Sequence, residues 1–131
     1  MKKYLLDTNI ISFYLKGDIN LKEKLSDNIN SLSVSIISYY EIVSGLQSIN
    51  ASKRIKEFEK FCDLIEIVNL NKESILASCK IYSNLKNTGK LIDDVDILIA
   101  GSAMSNNYTF ITDNTKHFER VKNLKLENWK Q

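Results

Sequence analysis

Four acidic residues occupy positions where a short strand is predicted to pass into a helix. Asp7 and Asp113 each follow an apolar run that is typical of a buried strand. Glu41 and Asp96 lie early in segments that have the pattern of helices. In a parallel α/β sheet, helix N-termini gather at the carboxyl ends of the strands. The four carboxylates are therefore expected to meet at one edge of such a sheet.

Carboxylates that meet in this way need compensating positive charge. Two of them about 5 Å apart repel by about 3 kcal/mol at an effective dielectric constant of 20. Helix dipoles and a bound cation would offset that repulsion, and an all-oxygen ligand set suits Mg²⁺ or Mn²⁺. Thr8, Ser38 and Thr112 lie beside the acids or one helical turn before them, where their hydroxyls can orient a carboxylate or a bound water.

A purely structural interpretation of the same acids stays open. Ser38 and Glu41 have the spacing of a capping box, and Asp96 stands in a similar pair with Asp93. Asp7 and Asp113 also have positions that suit helix N-caps. On this interpretation the acids begin helices and do no chemistry.

The hydrophobic pattern alternates between strands and helices along the whole chain. Strands are expected at residues 4–6, 32–36, 65–68, 108–111 and 124–126. Helices are expected at residues 9–15, 19–29, 52–64, 72–87, 93–106 and 116–120, with one more beginning at Ser38. This alternation predicts an α/β fold, in which helices flank a central parallel sheet on both faces. Residues 1–131 are expected to form a single domain.

Two of the predicted helices carry apolar side chains at helical spacing. In the helix at 52–64 these are Ile55, Phe58, Phe61 and Cys62, which form either a core face or a surface for a partner helix. In the helix at 72–87 they are Ile75, Leu76, Cys79, Tyr82 and Leu85. Gly89 is well placed to end this second helix. Cys62 and Cys79 are expected to be reduced thiols in the core.

The composition excludes several kinds of protein. His117 is the only histidine, which excludes a nuclease with two catalytic histidines and argues against a histidine-rich zinc site. The formal net charge is only +2, which neither requires nor excludes binding to nucleic acid. The longest apolar stretch, at residues 97–104, is far short of the ~20 residues that span a membrane. We therefore expect no membrane partner and a cytoplasmic location.

Four motifs follow one another along the chain. The first motif is at residues 5–11 and the second at 38–46. The third comprises 89–92 and 96–100, and the fourth comprises 111–114 with 117–118. These motifs and the ending at 126–129 resemble those of PIN-domain ribonucleases, and especially of the VapC toxins of bacterial toxin–antitoxin pairs. No single motif is specific, but together they cover nearly the whole chain in order.

The resemblance implies a Mg²⁺-dependent endoribonuclease, with Mn²⁺ as a possible substitute. Asp7, Asp96 and Asp113 would hold the metal, and Glu41 would ligate it directly or through water. The substrate would be tRNA or another structured RNA. The partners implied are a cognate antitoxin, which would place a basic side chain in the acidic site, and a second copy of the chain in a homodimer.

Two rival interpretations remain. A phosphatase that works through a phosphoaspartate uses a second Asp two residues after the first, where this chain has Asn9. A catalytically silent module that binds RNA or a protein partner on the same fold would keep the acids without cleaving RNA. Cleavage of RNA that depends on a metal ion would separate the enzyme from the silent module.

Overall fold

Five short parallel strands form the centre of the molecule. The computed structural model describes residues 2–130, and their strand order is β3-β2-β1-β4-β5. The strands are β1 (Tyr4–Leu6), β2 (Leu32–Ser35), β3 (Glu66–Val68), β4 (Thr109–Ile111) and β5 (Leu126–Glu127). Leu6 of β1 lies in register with Val34 on one side and with Ile111 on the other. The first strand is therefore central, although its two neighbours come from distant parts of the sequence.

Seven α-helices connect and cover these strands. They are α1 (Thr8–Leu15), α2 (Ile19–Asp27), α3 (Ile36–Ser48), α4 (Ser52–Cys62), α5 (Lys72–Asn87), α6 (Asp94–Ser105) and α7 (Thr115–Phe118), and a 3₁₀ turn (Ile29–Ser31) precedes β2. Gly89 follows α5 with a φ of 70°, a left-handed conformation that glycine adopts without strain. None of the helices in the described part of the chain is both long and apolar enough to cross a membrane.

Adjacent residues of the central strands point to opposite faces of the sheet. Leu6 and Ile111 belong to a core that also includes residues of α1, α2, α3 and α4. Leu5 and Phe110 belong to a second core, against α5, α6 and α7. All four side chains are fully buried. The predicted parallel sheet with helices on both faces is thus confirmed, and it explains why β1 and β4 carry two apolar residues in succession.

The apolar face of α4 packs into the first of these cores. Phe58, Phe61 and Cys62 are buried there, and Ile55 is partly buried, so the core interpretation is confirmed over a partner-helix surface. The prediction of two core thiols is wrong for Cys79. Cys79 is a free cysteine on the exposed side of α5, whereas Cys62 is buried.

The buried side of α5 differs from the one that its apolar residues suggest. Of the predicted set, Leu85 is buried, whereas Ile75, Leu76 and Tyr82 are exposed. The helix buries Ser74, Ser78 and Ile81 in their place. The reason is the close approach of α6 at Gly101. A Cβ atom at Gly101 would lie 2.0 Å from Ser78 Oγ and 2.9 Å from the backbone oxygen of Ser74. Small side chains are required there because the two helix backbones nearly touch.

Candidate active site

Asp7 lies at the centre of the candidate site, directly after the central strand. Its backbone N–H donates to the Ile111 oxygen at 2.8 Å and so extends the pairing of β1 with β4 by one residue. Its side chain is 6% exposed. Asp7 Oδ1 accepts from the Thr8 N–H at 2.8 Å, and Oδ2 accepts from the Thr112 hydroxyl at 2.8 Å. The carboxylate is therefore held by the first residue of α1 and by the residue that follows the neighbouring strand β4.

The surroundings of Asp7 favour its neutral form. The pKa of Asp7 is raised to about 6, mainly by burial and to a smaller extent by the nearby carboxylates of Asp96 and Glu41. The hydrogen bonds from Thr112 and Thr8 act in the opposite direction but only partly compensate. A buried carboxylate that sits beside two others is the electrostatic situation that a cation would relieve.

Glu41 reaches this region from the second turn of α3. The Thr8 hydroxyl donates to Glu41 Oε1 at 2.7 Å and lies 3.0 Å from Ser38 Oγ, which is placed to donate to it in turn. Ser38 is fully buried. The three predicted supporting hydroxyls, Thr8, Ser38 and Thr112, therefore all lie within hydrogen-bonding chains that end on a predicted acid.

Asp96 is held by the only histidine of the chain. His117 Nε2 lies 2.9 Å from Asp96 Oδ2, and both side chains are partly buried. The imidazole also packs edge-on against Phe118, which is buried in the core. The sequence identified Asp96 but gave His117 no role. Its position one residue before a buried aromatic was the available signal that the ring would be held against the protein.

Asp113 is the acid that the structure sets apart from the other three. Its side chain is exposed, and Asp113 Oδ1 accepts from the Asn128 amide at 3.1 Å. Its backbone N–H approaches Asn9 Oδ1 at 3.5 Å, so it still lies at the same edge of the sheet. A change of its side-chain torsions would be needed before it could share a ligand with Asp7.

A pocket of about 430 Å³ collects the other three acids, Asp7, Glu41 and Asp96; we call it the acidic pocket. Its remaining lining consists of Thr8, Asn9, Ser12, Phe13, Lys16, Asn114 and Phe118. A larger cavity of about 650 Å³ lies beside α5, but Glu73 is the only acid in its lining. The acidic pocket is therefore the place where these side chains can do chemistry.

The capping interpretation holds for Asp7 alone. Asp7 caps α1 through its bond to Thr8, whereas α3 is capped by Ser35, which accepts from the Ile37 N–H at 3.1 Å. The capping box expected from Ser38 and Glu41 is therefore wrong. Both residues lie inside the helix, because α3 begins two residues earlier than the sequence pattern indicates.

The other two acids are not caps either. Asp93 flanks α6 without a side-chain capping bond, so its pairing with Asp96 does not form. Asn114, and not Asp113, flanks α7. Helix capping therefore leaves three of the four acids unexplained.

The donor set fits a hard divalent cation in its chemistry, although the side chains are not yet gathered around one point. Within residues 2–130 no three His, Cys, Asp or Glu side chains stand close enough to share one ion. Each acid is instead engaged by a neighbour: Asp7 by Thr112, Glu41 by Thr8, Asp96 by His117 and Asp113 by Asn128. All are oxygen ligands, and a cation would have to compete with these four hydrogen bonds.

Comparison with known proteins identifies the family. The family model of the PIN domain matches residues 4–124. The chain belongs to the PIN-domain family. Within it, the chain is 38% identical over 125 residues to Ribonuclease VapC1 of Methanocaldococcus jannaschii, an alignment that covers 95% of this chain and 85% of the relative. Its place among the VapC-type ribonucleases is thereby established.

Further relatives support this PIN-domain assignment. The tRNA(fMet)-specific endonuclease VapC of Shigella flexneri is 28% identical over 131 residues, covering 98% of this chain and 99% of the relative. The solved structure of DNA-bound VapBC from Salmonella typhimurium superimposes with a TM-score of 0.92 and 26% identity, covering 99% of this chain and 100% of the other. The resemblance drawn from the four motifs is therefore confirmed.

Proposed function

We propose that this PIN domain is a metal-dependent endoribonuclease that acts as the toxin of a toxin–antitoxin pair. The observation that carries the proposal is the acidic pocket, in which the buried Asp7 shares one cavity with Glu41 and Asp96 at the carboxyl ends of the central strands. Membership of a family of ribonucleases supplies the reaction class. The three acids are the reason to expect a bound metal ion, because their negative charges need a compensating cation.

Asp7, Asp96 and Asp113 would hold Mg²⁺ or Mn²⁺, with Glu41 as a direct ligand or one that acts through water. When bound, the cation lowers the pKa of a water and stabilises the negative charge that develops on the phosphate. Thr112 keeps Asp7 Oδ2 oriented, and Thr8 keeps Glu41 directed into the pocket. No pair of histidines is available for acid–base catalysis, because the chain has only one histidine.

The relatives support a proposal for the substrate and the setting. The Shigella flexneri relative is named as specific for tRNA(fMet), and we propose tRNA or another structured RNA as the substrate class here. Such a substrate places the protein in the cytoplasm. The VapBC structure of Salmonella typhimurium supports a cognate antitoxin as partner. An Arg of that antitoxin suits the acidic pocket, because it can bind a carboxylate bidentately.

We also propose a homodimer. The exposed side of α5 carries Leu76 and Tyr82, which are 53% and 39% exposed, so apolar surface is available for a second copy. Sedimentation of the purified chain would measure its oligomeric state directly.

The test of the proposed reaction is cleavage of RNA by purified protein with and without a chelator. We expect total tRNA to be cut in the presence of Mg²⁺ or Mn²⁺ and to stay intact in EDTA. Restoring the metal in excess should restore cleavage. Cleavage that survives chelation would contradict the metal mechanism, and binding of RNA without cleavage under all conditions would favour the silent binding module.

Removal of the His117 side chain tests whether its contact with Asp96 strengthens the binding of a metal ion. His117→Ala should weaken the apparent affinity for Mn²⁺ by about tenfold, since partners of metal-ligating carboxylates typically contribute on this scale. His117→Gln, whose amide can still donate to Asp96, should recover part of the loss. The measurement is the rise in melting temperature as Mn²⁺ is added. Identical titration curves for the three proteins would leave His117 without a role at the site.

A further inference from the structure

Helix α1 presents one continuous polar and aromatic face to the acidic pocket. Asn9, Ser12, Phe13 and Lys16 all line that pocket, and their spacing of three, four and seven residues is that of a single helix face. Asp7 lies directly before the helix, so this face leads away from the acids along α1. These four residues therefore form a part of the pocket wall that contains no acidic side chain.

Lys16 is the cation of this face, and it is not neutralised. Its side chain is exposed, and it also lines a neighbouring groove of about 200 Å³, in which Arg54 stands as well. Although Glu41 lines both cavities, Lys16 forms no ion pair with any carboxylate in residues 2–130. Its ammonium is thus available to a negatively charged ligand.

The other lysine near this wall is already engaged. Lys130 Nζ lies 3.3 Å from Asp18 Oδ2 and 4.7 Å from the centre of the Phe13 ring. Lys130 therefore covers one side of Phe13, which leaves that ring as a wall of the pocket and not as an open platform for a base. Of the two lysines at this wall, Lys16 is therefore the one without an ion pair in residues 2–130.

We propose that Lys16 binds a backbone phosphate of the RNA next to the one that is cleaved, and that Asn9 and Ser12 contact the intervening ribose or base. The inference rests on the proposed ribonuclease function and adds the way in which the strand is held. An RNA strand that enters a pocket with three carboxylates is repelled by them, so a cation beside the acids is needed to position it. At 1.5 Å per residue, Lys16 lies about 13 Å along α1 from Asp7, within reach of a neighbouring phosphate.

A structural role for Lys16 predicts different behaviour. Lys16 is the C-cap residue of α1, where a positive charge also stabilises the end of the helix dipole. In that case its replacement would lower the melting temperature slightly and leave RNA binding unchanged. A phosphate contact instead weakens binding by the same factor for RNAs of different sequence and reduces the dependence of affinity on salt.

The experiment compares RNA binding by Lys16→Gln, Lys16→Arg and Lys22→Gln, each made in an Asp7→Asn background and measured in EDTA. Lys22 is an exposed lysine of α2 that lies outside the acidic pocket, so it is the matched control. Fluorescence anisotropy with short RNAs of two sequences, between about 50 and 200 mM salt, gives affinity and salt slope. We expect Lys16→Gln to lose roughly fivefold in affinity for both RNAs and to reduce the slope by about 0.7 to 1. Lys16→Arg and Lys22→Gln should bind like the background protein.

Cleavage of tRNA by the unmodified protein is measured in parallel, so that the two proposals can fail separately. Intact cleavage together with unchanged affinity and slope for Lys16→Gln overturns the phosphate contact alone. A loss that is equal for Lys16→Gln and Lys22→Gln also overturns it, because the effect is then that of overall charge. If the unmodified protein neither binds nor cleaves RNA, both proposals fall. Melting temperatures of all variants confirm that each compared protein is folded.

Discussion

Asp7→Asn is expected to make the metal-free protein more stable and to reduce RNA cleavage by orders of magnitude. Asn keeps the acceptor for the Thr8 N–H and removes a charge that is buried beside Glu41 and Asp96. We expect a gain of about 1–2 kcal/mol in the free energy of unfolding near neutral pH. Cleavage falls because a ligand of the proposed metal is lost at the reacting phosphate.

The same carboxyl group predicts how stability depends on pH. The pKa of Asp7 is raised from its ordinary value of 3.8 to about 6 in the folded protein, so the folded state holds the proton more tightly. The stabilisation from protonated Asp7 is complete below about pH 4 and is lost as the pH rises through 6, by up to about 3 kcal/mol. Thermal melts in EDTA across this range should show that loss in the original protein and not in Asp7→Asn.

Asp18→Asn is the matched control, because Asp18 also caps a helix. Its carboxylate accepts from the Leu21 N–H at 3.0 Å, a bond that lowers the pKa of Asp18, and it pairs with Lys130. Removing this charge should therefore decrease stability slightly, the opposite sign to Asp7→Asn, and leave cleavage intact. Equal changes in stability for the two variants, with cleavage retained in both, would indicate that Asp7 only caps α1.

Gly101→Ala is expected to destabilise the protein markedly, although it adds only one methyl group. The new Cβ would lie 2.0 Å from Ser78 Oγ and 2.9 Å from the Ser74 oxygen, and the latter is backbone that cannot rotate away. Overpacking of this kind costs about 2–3 kcal/mol, more than the ~1 kcal/mol that alanine gains in helix propensity. The net loss of about 1–2 kcal/mol should lower the melting temperature by roughly 4–7 °C.

Gly45→Ala serves as its control within a different helix. Gly45 lies in α3, and nothing stands within 4 Å of a Cβ built there. Alanine should therefore stabilise the protein by about 0.5–1 kcal/mol, through helix propensity and a less flexible unfolded chain. If both substitutions raised the melting temperature, the close contact between α5 and α6 would not be present in solution.

The contrast between these two glycines shows what the sequence leaves undecided. Hydrophobic periodicity predicted α5 at residues 72–87 and its stop at Gly89, yet it suggested a face with Ile75 and Leu76 in place of the observed one. The observed face carries Ser74 and Ser78 because α6 approaches at Gly101. Where two helix backbones lie close together, only small side chains fit between them. A pattern of apolar residues does not predict where such a contact occurs.

The site was predictable to a similar extent. The order of strands and helices was enough to bring Asp7, Glu41 and Asp96 to one pocket, because the topology of a parallel sheet determines where helices begin. The direction of individual side chains was not predictable. Asp113 lies at the expected edge but bonds to Asn128, and His117 reaches Asp96 only because Phe118 anchors α7 in the core.

The bond between Thr112 and Asp7 joins residues that are 105 positions apart. Thr112 follows β4, which inserts between β1 and β5, so the edge of the sheet that carries the acids is incomplete until nearly all of the described chain has been made. Asp7 and Glu41 are translated early, but Thr112, which bonds to Asp7, is translated much later. A nuclease with this topology therefore assembles the surroundings of Asp7 only when its own synthesis is almost finished.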